Sequence, residues 1–136
     1  MTGTPNGKRP VSTPDAPRPA GAYSQGVVAG GFLYTAGFGP QHPATGEVPE
    51  GVSAQTAQVL RNVSAVLAAE GLTLRDVVKV TTHLQHLERD FAAYDAAYRA
   101  FFEAPCPVRT TVGSDLMDIL VEIDVVAALP APAPPD

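Results

Sequence analysis

The chain has 136 residues, 45% hydrophobic and 17% charged, a balance that fits one globular domain rather than a disordered chain. Nine Lys and Arg against fourteen Asp and Glu give a net charge of −5, with no basic cluster, which argues against nucleic acid as a partner. Cys106 is the only cysteine, so no intrachain disulfide forms, and no apolar run approaches the roughly 18 residues of a membrane span. A soluble cytoplasmic protein without membrane association is the expectation.

Nine of the fourteen prolines fall in residues 1–19 or 130–136. Both ends are therefore expected to be flexible tails, with the folded unit running from Ala20 to Leu129. "AYSQGVVAGGFLYTAG" reads as two strands joined at Gly30-Gly31, a dipeptide that accepts the positive φ of a hairpin turn. "FGPQHPATGEVPEG" is a loop. In "SAQTAQVLRNVSAVLAAEG", Val59, Leu60, Val63, Val66 and Leu67 recur at helical spacing, with Ser53 as the expected N-cap and Gly71 as the stop. "DVVKVTTHLQHL" is β-branched and predicts a strand. "DFAAYDAAYRAFF" predicts a helix capped at Asp90, with Phe91, Tyr94, Tyr98 and Phe101 along one face. "VRTTV" and "ILVEIDVVAAL" close the chain as strands. The order ββ-α-β-α-ββ predicts an α+β fold in which two helices cover one face of a mixed sheet. The last strand is apolar on both sides, so the open face calls for a second cover, expected to be another copy of the chain in a ring-like homo-oligomer.

Two charges interrupt this apolar pattern. Arg109 sits within "PCPVRTTVGS" and Glu122 within the final strand. On adjacent antiparallel strands they would form a structural ion pair, which is nearly neutral for stability. Alternatively, Arg109 grips a ligand carboxylate with its planar donor fork while Glu122 handles protons or water. The residues alone leave both readings open. His83 and His86 are an odd number of residues apart in a predicted strand, so they point to opposite faces and cannot share a metal; His42 stands alone in a loop. Cys106 lies between Pro105 and Pro107 with no neighbour to lower its pKa, and Ser24 lacks a nucleophile elbow. "GGFLYTAGFGP" has no lysine or helix start and is not a phosphate cradle.

Taken together, "AYSQGVV", "PVRTTV" and "VEIDVVAAL", with "ATGEVP" and "DVVKVTTHLQ" between them, resemble the Rid family, the reactive intermediate deaminases or YjgF-like proteins. The similarity spans residues 17–129. It implies a chorismate-mutase-like fold, a homotrimer with clefts between subunits, and no metal or organic cofactor. It also implies hydrolysis of enamines and imines such as 2-aminoacrylate and 2-iminopropionate to 2-keto acids and ammonia. By position, Arg109 matches the family's carboxylate-binding arginine and Glu122 its water-handling acid. Tyr23 of "YSQ", Gly37 and the backbone at Thr111 match pocket-lining positions. The chain departs from the archetypal pattern at Ala36, Phe38, Asp95 and Thr111, where serine, glutamine, asparagine and cysteine are usual. A non-catalytic trimer that binds small carboxylates in the same clefts and regulates a partner is the alternative expectation, and an endoribonuclease, an activity attributed to some relatives, is a third.

Overall fold

In β6, Val121–Ala128, the alternation is strict: Val121, Ile123, Val125 and Ala127 are buried, while the residues between them are half-buried on the other face. This strand lies inside a six-stranded sheet of order β1-β2-β3-β6-β4-β5, seen in a computed structural model that describes residues 7–131. The other strands are β1, Arg9–Val11, β2, Gly26–Ala29, β3, Phe32–Thr35, β4, Val77–Leu84, and β5, Val108–Gly113. Helices α1, Val52–Ala68, and α2, Leu87–Arg99, lie against one face of the sheet. Among the described residues no helix is long and apolar enough to cross a membrane.

The expected hairpin forms β2 and β3, with Gly30 and Gly31 at φ of 59° and 86°, where a side chain would be strained. Helix α1 buries the expected face completely: Val59, Leu60, Val63, Val66 and Leu67 have no exposed surface. Its end is as expected, since Gly71 takes a positive φ and the Leu72 amide turns back to the Leu67 carbonyl at 3.0 Å. Its start is not. Gly51, not Ser53, is the N-cap, because the Gly51 carbonyl already accepts the first helical bond, from the Gln55 amide. Helix α2 likewise begins three residues before Asp90, at Leu87, with His86 as N-cap; Asp90 pairs instead with Arg89 in the first turn.

The expected N-terminal boundary at Ala20 is also corrected. Residues 9–11 pair with β2, and Val11 and Ala16 are buried in the core. The cause is Gln25, itself buried. Its amide nitrogen donates to the carbonyls of Thr13, Ala16 and Pro17 and its oxygen accepts from the Thr13 amide at 2.7 Å. One side chain thus replaces the ladder bonds that this proline-rich segment cannot make. The outer parts of both expected tails, residues 1–6 and 132–136, lie outside the described residues.

Strand β4 runs parallel to β5 and antiparallel to β6, so it separates them. Helix α2 makes the crossover that a parallel β4–β5 pair requires. The open sheet face carries Phe32, Tyr34, Val78, Val108 and Val112, all exposed.

Truncating Leu60 to alanine leaves a cavity between α1 and the sheet and is expected to cost about 3 kcal/mol in urea unfolding. Gln25→Ala strands four backbone groups and is expected to cost about 1–3 kcal/mol. Hydrogen exchange at the Thr13 amide is expected to accelerate in that variant; unchanged protection there would contradict the role given to Gln25.

Candidate active site

The register places the two conspicuous charges apart. Arg109 is opposite Val80 and Glu122 is opposite His83, with β4 between their strands. Their faces differ as well. Arg109 turns toward α2, whereas Glu122 lies on the open face, since its neighbours Val121 and Ile123 fill the core. The intrachain Arg109–Glu122 ion pair is therefore excluded: the strands are not adjacent, and the sheet itself stands between the side chains.

Glu122 gathers half of the expected site. Tyr23, Gly37 and Glu122 share a cleft of about 540 Å³, which Tyr34, Thr35 and Ala36 help to line. The same three residues border a second cleft of about 730 Å³, with Phe38, His42 and Met117. Gly37 is a glycine for a local reason. A Cβ there would lie 2.9 Å from Glu122 Oε2, so the carboxylate rests on bare backbone. That backbone is fixed by the next residue: Phe38 and Ile123 exchange both amide–carbonyl bonds, at 2.9 and 3.1 Å, and the Phe38 ring is buried. Asn62 of α1 secures the following turn by donating to the Gly39 and Gln41 carbonyls. Tyr23 is half exposed, its hydroxyl accepting from the Ala20 amide at 3.0 Å. Among the described residues Glu122 has no hydrogen-bond or ion-pair partner.

Arg109 has the opposite character. It is three-quarters buried, and its Nη1 donates to Asp95 Oδ1 at 2.8 Å. The guanidinium lies 4.6 Å from the Tyr98 ring centre, 5.5 Å from that of Tyr94 and 5.8 Å from that of Phe91. Those rings on α2 repay part of its lost hydration through their negative faces. The Arg109 hydrogen bond holds the Asp95 carboxyl below its ordinary range, against the opposing effect of burial, and Arg99 reinforces the shift. Burial pushes the Tyr98 phenol well above its ordinary value, so it stays neutral. A cavity of about 310 Å³ beside Arg109 is lined by Asp95, Tyr98, Arg99, Phe102, Cys106 and Pro107.

Thr111 shares the helix-side face with Arg109 but lines none of these three cavities, and its hydroxyl is buried without a partner among the described residues. His83 bonds Ser114 Oγ at 2.6 Å from within β4, whereas His86 lies beyond the strand end at Leu84, at the start of α2. Among the described residues no group of three or more His, Cys, Asp and Glu side chains is placed to hold a metal. Helical i,i+4 spacing offers Asp95 the partner Arg99, but no local pattern offers it Arg109. The available signal was topological: a helix that crosses over from β4 to β5 must pack its inner face above β5.

A family model described as endoribonuclease L-PSP matches residues 13–129. The 2-iminobutanoate/2-iminopropanoate deaminase of Escherichia coli K12 is 41% identical over 122 residues, which cover 86% of this chain and 94% of that protein. The crystal structure of the E. coli YjgF gene product superposes with a TM-score of 0.82 at 40% identity, covering 88% of this chain and 98% of that one. E. coli TdcF with bound serine gives the same TM-score and coverage at 35% identity. By these matches over nearly its whole length, the chain belongs to the endoribonuclease L-PSP family, the RidA/YjgF-like proteins.

Proposed function

We propose that this protein hydrolyses small 2-imino acids and their enamine tautomers to 2-keto acids and ammonia. Support comes from the relative named for that activity, 41% identical along almost its entire length. The observation that carries the reading is the state of Glu122: a carboxylate with no partner among the described residues, laid on the Gly37 backbone between two clefts.

The chemistry follows from the residue types. A water oxygen adds to the C=N carbon while Glu122 takes one of its protons and passes it to nitrogen, giving a carbinolamine. Glu122 then moves the hydroxyl proton to nitrogen, so that C=O re-forms as the C–N bond breaks and ammonia leaves. Arg109 holds the substrate carboxylate by a charge-assisted bond, which fixes the electrophilic carbon in place. Tyr23 and Gly37 wall the cleft, and Thr111 contributes backbone beside Arg109.

Because Arg109 and Glu122 occupy opposite faces of one sheet, a complete site takes each from a different protomer. We assign the exposed apolar face with Phe32, Tyr34, Val108 and Val112 to the contact that brings them together, in a homotrimer with three such clefts.

The assay is semicarbazide trapping of 2-iminobutanoate generated in situ. Wild type is expected to suppress the trapped product. Glu122→Gln is expected to lose about 10²–10⁴ in kcat, and Arg109→Ala to lose chiefly in KM. Variants as fast as wild type would remove the reading. At substrate well below the KM of Arg109→Ala, mixing the two variants and reassembling them is expected to restore about a quarter of wild-type activity, the statistical share of sites with both residues intact. No recovery would place both residues in one protomer's site. Gly37→Ala, which pushes the carboxylate off its seat, is expected to lower kcat about tenfold to a hundredfold with unfolding nearly unchanged.

A further inference from the structure

The hydrolysis just described makes no use of Asp95, yet among the described residues Asp95 is the one acid in direct contact with Arg109. It lies mid-way along α2 and divides its two oxygens. Oδ1 accepts from Arg109 Nη1 at 2.8 Å and Oδ2 accepts from Arg99 Nε at 3.0 Å. The two contacts are unequal. Arg99 is 78% exposed and one helical turn away, an arrangement that contributes little. Arg109 is 24% exposed and Asp95 16%, and their contact ties helix to sheet where water screens poorly.

This contact leaves a defined remainder. Among the described residues Arg109 Nε and Nη2 make no hydrogen bond, and the Tyr98 ring lies close to the guanidinium. The Nε–Nη2 edge is therefore the free edge, and two parallel N–H groups match the two oxygens of one carboxylate. The charges around the 310 Å³ cavity also add up simply. Arg109 and Arg99 bring two positive charges and Asp95 one negative, a balance of plus one that a single carboxylate neutralises.

We propose that Asp95 is a positioning and specificity-determining residue, which pins Nη1 of Arg109, presents the Nε–Nη2 edge to substrate and restricts the site to monocarboxylates. Its fixed charge loosens the grip on every anion and bears hardest on ligands with a second carboxylate. The substrates selected are imino acids whose side chains carry no negative charge. This inference rests on the reading of Arg109 as the carboxylate anchor.

Calorimetric titration of the full chain with 2-oxobutanoate and with 2-oxoglutarate tests it. Wild type is expected to favour the monocarboxylate. Asp95→Asn keeps an acceptor for Nη1 but removes the charge, so it is expected to bind 2-oxobutanoate about tenfold more tightly. Its gain for 2-oxoglutarate is expected to be larger again by about tenfold, which narrows the selectivity; Asp95→Glu, still charged, is expected to retain the wild-type preference. Asp95→Ser, also uncharged, takes the place of Asp95→Asn if that variant does not fold. Unchanged or weaker binding of both acids by the uncharged variant, with binding abolished in Arg109→Ala, would overturn the role of Asp95 and leave the anchor standing. Equal affinities in wild type and Arg109→Ala would overturn the anchor and this inference together.

Discussion

The position of β4 between β5 and β6 is the constraint on which the site depends. A helix links β4 to β5, so the two strands run parallel and α2 lies over them on the core side. Side-chain alternation then does the rest. Arg109 is carried under α2 with the inward residues of β5, and Glu122 is carried to the open face with the outward residues of β6. No rotamer brings them together through a packed sheet. If both act on one substrate, the fold requires a second copy of itself, and the uncovered apolar side chains on the open face are where it would sit.

The two charged residues are prepared in opposite ways. Arg109 has lost much of its water and is compensated by one carboxylate and three aromatic rings, so it is held in place before any ligand arrives. Glu122 is not compensated at all among the described residues; only its seat is prepared, by a glycine whose missing side chain makes the room. A fixed cation suits the binding of an unreactive carboxylate. An uncommitted acid suits a group that must gain and lose a proton.

Much of this was legible in the residues. Gly30-Gly31 announced the hairpin, the spacing of Val59 to Leu67 announced the buried face of α1, and the two-sided apolarity of β6 announced an uncovered sheet face. Each is a periodicity or a backbone requirement written locally. What escaped was decided by partners distant in sequence. Strand β1 resembles a tail because Pro10 and the prolines around the strand weaken a ladder, and the four bonds of Gln25 are what tie that segment to the fold. Ser53 and Asp90 resemble caps by composition, but the helices start where Gly51 and His86 offer the first free carbonyls. Arg109 and Glu122 pass for neighbours because strand order cannot be read from two consecutive strands alone. Asp95 stands out in the sequence as a departure from the family pattern, whereas its bond to Arg109 emerges only when α2 is placed over β5.

The most direct measurement is a crystal structure of the protein with 2-oxobutanoate bound. The account predicts the ligand carboxylate on the Nε–Nη2 edge of Arg109 from one protomer, with its keto carbon facing Glu122 of the next. A keto acid held by residues of a single protomer, or bound away from Arg109, would contradict it.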